Sequence, residues 1–124
     1  MIVADTSGLL AFFNEQEPSH TAVRSVLESD RDPVVVSPYV VAELDYLLAT
    51  RVGVEAEITV LSELASGAYL LPAMEASELM KAVAVLDRYR SLHIGVTEAS
   101  LVVLAERFRS RSLLTLDRRH FEAL

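Results

Sequence analysis

Two aspartates stand where short apolar runs stop: Asp5 ends "MIVAD" and Asp117 ends "SLLTLD". A third acid, Glu98, opens the apolar stretch "IGVTEASLVVLAERF". There Thr97 can cap a helix, and a first-turn carboxylate gains about 0.3–1 kcal/mol from the helix dipole. Leu101, Val102 and Ala105 share its helical face, which directs Glu98 towards the protein. In "SPYVVAELDYLL" the apolar arc is Val40, Val41, Leu44, Leu47 and Leu48, with Glu43 and Asp45 on its opposite edges. Periodicity does not choose between those two. Each acid alone has a plain structural explanation, as turn former, cap or solvated side chain. Several together in one cleft repel each other unless a cation neutralises them. The cation suited to carboxylates is Mg²⁺ or Mn²⁺, which takes oxygen ligands and shares substrate phosphates. Such a site activates water and stabilises charge on phosphate, so the chemistry implied is phosphodiester hydrolysis.

The elements must bring these acids together. Short β-branched or apolar runs near residues 2–4, 34–36, 69–71 and 113–116 read as strands. Between them lie helical patterns: "SGLLAFF", "PSHTAVRSVLES", "YVVAELDYLLATR" behind a Ser37 cap and Pro38, "VEAEITVLSELASG", "EASELMKAVAVLDRYR" and a helix over 98–108. Strands alternating with helices predict parallel β-α units. The expected architecture is a three-layer α/β/α domain spanning 1–124, with a central, mainly parallel sheet of four to five strands. Parallel sheets bind ligands beyond the carboxyl ends of their strands, where the strand order reverses. Asp5 and Asp117 are neighbours there if the first and last strands are adjacent.

Composition narrows the function classes. The 124 residues carry a net charge of −7, against a general nucleic-acid sponge. All basic residues but Lys81 are arginine, and Arg107, Arg109, Arg111, Arg118 and Arg119 cluster near the C-terminus. Arginine is the side chain suited to bidentate phosphate contact. With no cysteine, thiol catalysis and thiolate zinc sites are excluded. His20, His93 and His120 form no pair at metal-ligand spacing and are expected to be ordinary surface or packing residues. The 52% apolar content exceeds what a core alone suggests, yet no run reaches a membrane span, so the excess is expected to serve interfaces. "MIVADTSGLL" has no basic region of a secretory signal, and a cytoplasmic protein is expected. "ADTSG" has Ser7 where a D-x-D phosphatase has its second acid, and no lysine lies near the last strand as a receiver domain requires.

Four segments in order, "MIVADTSGLLAFF", "VVVSPYVVAELDYLL", "IGVTEASLVVLAERF" and "LLTLDRRHF", resemble the PIN-domain ribonucleases, and within them the VapC-type toxins of bacterial toxin–antitoxin pairs. The resemblance covers nearly the whole chain. It implies that Asp5, Glu43, Glu98 and Asp117 are the family's four acids, which selects Glu43 over Asp45. It implies a Mg²⁺- or Mn²⁺-dependent endoribonuclease, with Asp5, Glu98 and Asp117 at the metal and Glu43 orienting water or a second ion. Thr6 and Thr115 are implied to support the acids, and Arg118, Arg119 and His120 to face RNA. The substrate implied is a structured RNA, transfer RNA or a ribosomal RNA loop, and the partners are a VapB-type antitoxin and a second copy of the chain. The family usually has aspartate where this chain has Glu98. The extra methylene is expected to weaken metal binding or activity, because Mg²⁺ demands near-ideal octahedral geometry. A catalytically disabled PIN-fold module that binds RNA or antitoxin is the competing expectation. Family members also often continue beyond the position of Leu124 into one more edge strand.

Overall fold

A computed structural model describes residues 1–116. The chain runs β1 (Ile2–Ala4), α1 (Thr6–Phe13), α2 (His20–Ser29), β2 (Val34–Val36), α3 (Pro38–Arg51) and α4 (Val54–Leu64). It continues with β3 (Tyr69–Leu70), α5 (Ala76–Arg88), a 3-10 turn at Arg90–Leu92, α6 (Val96–Arg107) and β4 (Ser112–Leu114). The strands form a parallel sheet in the order β3-β2-β1-β4. Right-handed crossovers in that order place α1–α4 on one face and α5–α6 on the other, giving the expected three layers. The order reverses between β1 and β4, where Ala4 is in register with Leu114.

The central strands are apolar without alternation because both faces are covered: every residue of β1 and β2 is buried. Leu9, Leu44, Leu48, Leu64, Leu101 and Leu104 from the helices pack around them. A smaller cluster of Ala82, Ile94, Ala99 and Val103 lies between α5 and α6. Arg107 ties the same two helices together, donating to Glu78 and to the Ala73 carbonyl at 3.0 Å. The chain then turns sharply into β4. Arg109, at φ 52°, donates its N–H to Glu106 and Ser110 donates to Ala105, closing the helix in a Schellman motif.

Gly8 lets α1 lie against β4. A Cβ there would stand 2.6 Å from the Leu114 carbonyl oxygen and 2.7 Å from Leu114 Cγ. Gly8→Ala is therefore expected to destabilise the protein by about 2 kcal/mol, overpacking outweighing the roughly 1 kcal/mol gain in helix propensity. Urea unfolding checks this, and an unchanged midpoint would show that β4 yields freely to the added methyl.

Candidate active site

Asp5 is the N-cap of α1, and it leaves β1 at the carboxyl edge of the sheet. Its backbone N–H donates to the Leu114 carbonyl at 2.9 Å, continuing the β1–β4 ladder by one step. Its side chain is 7% exposed. Oδ1 accepts from the Thr6 N–H at 2.7 Å, and Oδ2 accepts from the Thr115 hydroxyl at 3.0 Å. Burial holds the Asp5 carboxyl above the usual carboxylate range, against the pull of those two donors, and the charges of Glu98 and then Glu43 push it further up. The charges of an acid in α6 and an acid in α3 therefore bear on Asp5, the residue that links β1 to α1.

The pair left open by periodicity separates cleanly. Asp45 turns towards α4, where it shares a hydrogen bond that raises the Glu57 carboxyl. Glu43 is the acid of α3 whose charge bears on Asp5. What places α3 beside α6 is a buried chain of hydroxyls. Ser100 donates to the Thr97 carbonyl at 2.6 Å, so Ser37, 2.7 Å away, supplies the proton between the two serines. Ser37 also accepts the Tyr39 N–H at 3.1 Å, as the expected cap of α3.

Glu98 differs from expectation in its local role. The helix begins at Val96 with Gly95 as N-cap, so Thr97 is not the cap and Glu98 is the third helical residue. Glu98 Oε2 accepts the Gly95 N–H at 2.9 Å, which is the glutamate half of a capping box. Gly95 has no side chain to return the bond. The half-buried carboxylate thus serves the helix while its charge bears on Asp5.

No three Asp, Glu or His side chains among the described residues lie close enough to form a metal cluster by themselves. Asp117, Arg118, Arg119 and His120 lie outside the described residues. The buried Thr6 hydroxyl has no hydrogen-bond partner among the described residues. An all-oxygen donor set, mutual repulsion of its acids and an orphaned hydroxyl beside them suit a hard divalent cation. His20 is a packing residue as expected, its Nδ1 lying 2.9 Å from the Ala11 carbonyl. Ser7 is the residue the sequence did not single out. Its hydroxyl accepts the Leu116 N–H at 2.9 Å and lies 3.3 Å from Thr115 Oγ1 and 3.4 Å from Asp5 Oδ2. The available signal was a hydroxyl two residues beyond a strand-end acid.

A buried aspartate at the reversal point of a short parallel sheet, with acids of two further helices acting on it, defines a class. The PIN domain family model matches residues 2–124, and the chain belongs to that family, on its VapC branch. It is 54% identical over 123 residues to Ribonuclease VapC26 of Mycobacterium tuberculosis, covering 99% of this chain and 91% of the relative. The crystal structure of M. tuberculosis VapC20, a sarcin-ricin loop cleaving toxin, matches the fold with a TM-score of 0.86 at 20% identity, over 94% of this chain and 90% of that one. FitAcB from Neisseria gonorrhoeae matches with a TM-score of 0.60 at 19% identity, over 89% and 84%.

Proposed function

We propose that the chain, acting as a single domain over 1–124, is a Mg²⁺- or Mn²⁺-dependent endoribonuclease toxin that cuts a structured RNA and so inhibits translation. The observation that carries this is the buried Asp5 carboxylate at the reversal point of the sheet, with the charges of Glu98 and Glu43 bearing on it from two other helices. Relationship to a ribonuclease at 54% identity supplies the substrate class. Asp5, Glu98 and Asp117 would hold the cation, with Thr6 and Thr115 beside them. A divalent cation bound there neutralises the acids and stabilises the charge developing on the scissile phosphate. Glu43, exposed at the rim, would orient the attacking water or a second ion. Thr115 donates to Asp5 Oδ2 and fixes the direction of that carboxylate. Arg118 and Arg119 contact RNA phosphates that the net charge alone would repel. The RNA belongs to the transfer RNA or ribosomal RNA loop class, and the cut leaves a 5′-phosphate and a 3′-hydroxyl.

The same reading assigns a VapB-type antitoxin as the protein partner and a homodimer as the assembly. Tyr46, Val52, Val54 and Ile58, apolar side chains exposed on and between α3 and α4, are available for such contacts. No helix among the described residues is long and apolar enough to cross a membrane, and we assign the protein to the cytoplasm. The deciding experiment is incubation of total cellular RNA with the protein in Mg²⁺, in Mn²⁺ and in EDTA, with end-mapping of the products. Discrete cuts in metal alone are expected. RNA or antitoxin binding with no cut in either metal would favour the disabled module, which the engagement of Glu98 with Gly95 also suits.

A further inference from the structure

We infer that Ser7 is a positioning residue of the active site, and that it sets where the chain leaves β4 relative to Asp5. This inference rests on the nuclease reading above. In a parallel ladder the N–H of Leu116 would next donate to the Asp5 carbonyl, because Asp5 N–H already donates to Leu114. That carbonyl is taken: it accepts the Leu9 N–H at 3.1 Å as α1 begins. Ser7 Oγ stands in for it, accepting the Leu116 N–H at 2.9 Å. The substitute is itself oriented, since it donates to Asp5 Oδ2 at 3.4 Å and lies 3.3 Å from Thr115 Oγ1. The first turn of α1 thus holds both the Asp5 carboxylate and the last backbone N–H before Asp117. The point at which the chain leaves β4 is thus governed from the first turn of the helix, and a hydroxyl at position 7 is what transmits it. Groups that orient metal ligands in this way typically change metal affinity 10–100-fold when removed.

Three variants test this: Ser7→Ala, the near-isosteric Ser7→Cys, and Ser7→Thr, which keeps the hydroxyl. Amide exchange at Leu116 is measured in EDTA, Mn²⁺ affinity by calorimetry, and kcat and KM on a mapped RNA substrate. Ser7→Ala and Ser7→Cys are expected to exchange faster at Leu116, to bind Mn²⁺ about tenfold more weakly and to lose kcat at unchanged KM, with Ser7→Thr restoring all three. Folding is checked by circular dichroism, and Ser7→Cys serves if the alanine variant is unfolded. Unchanged Mn²⁺ affinity and kcat in folded Ser7→Ala or Ser7→Cys overturn the role of Ser7 alone. A wild-type protein that takes up no Mn²⁺ overturns the nuclease reading and this role with it.

Discussion

Asp5→Asn is expected to abolish RNA cleavage and to make the metal-free protein more stable. The loss follows from removing a charged ligand of the proposed cation, which would supply several kcal/mol of transition-state stabilisation, about 10³-fold in rate. The gain follows from the environment of the side chain. Asp5 is buried and faces two like charges, and its carboxyl is held above the usual range. A group whose folded-state pKa is raised binds more protons folded than unfolded, so stability falls as pH rises through that interval and the full penalty is present above it. Asparagine removes the penalty while its carbonyl still accepts the Thr6 N–H and caps α1. Thermal unfolding in EDTA from pH 4 to pH 8 should show the wild type losing stability relative to Asp5→Asn as pH rises. Equal curves, or a less stable variant at pH 8, would mean that the donors around Asp5 fully offset its burial. Mn²⁺ should stabilise the wild type and leave Asp5→Asn unmoved.

Glu98 carries the second large effect, because two properties of one side chain can be separated by two substitutions. Glu98→Gln keeps an oxygen to accept the Gly95 N–H but discards the charge that faces Asp5. It should cleave RNA about 10²-fold more slowly with no loss of stability in EDTA, since the cap persists and a repulsion disappears. Glu98→Asp keeps the charge but is one methylene short of the bond to Gly95. It should lose about 1 kcal/mol of stability and bind Mg²⁺ more tightly, with cleavage rising about tenfold if the longer side chain attenuates the enzyme, a factor worth about 1.4 kcal/mol. Calorimetry with Mg²⁺ and timed RNA digests measure both. A fully active Glu98→Gln would remove Glu98 from the site altogether.

The acid at the start of α6 illustrates why part of this site was legible and part was not. Its dipole role and inward face follow from local spacing, and both appear in the structure. The helix start was misplaced by two residues because Thr97 is the better cap by residue type, whereas the actual cap is a glycine selected by the reach of Glu98. Strands β1 and β2 were readable to the residue as unbroken apolar runs. The apolar pattern predicts a last strand over 113–116, but β4 ends at Leu114, because the Thr115 hydroxyl turns to Asp5 and the Leu116 N–H goes to Ser7. The pattern through "LDRYR" extends a helix that stops at Arg88, because Tyr89 leaves the helical conformation and the chain tightens into a 3-10 turn that the pattern does not announce. Glu43 and Asp45 are equivalent to any local argument. They differ in which acid each acts on, Glu57 of α4 for Asp45 and Asp5 for Glu43, and that is tertiary information.

The Ser37–Ser100 link carries a consequence for how the protein responds to its surroundings. The two sides of the reaction centre are joined at that link by neutral hydroxyls in a fully buried place. Neither proton activity nor ionic strength acts on such a bond in the range where carboxylates titrate and RNA contacts are screened. Salt and acid can therefore alter the charge of the acids and the grip on substrate without loosening this part of the frame that holds them. A rate measured across buffers then reports chemistry and substrate capture, each distinguishable from a change of shape.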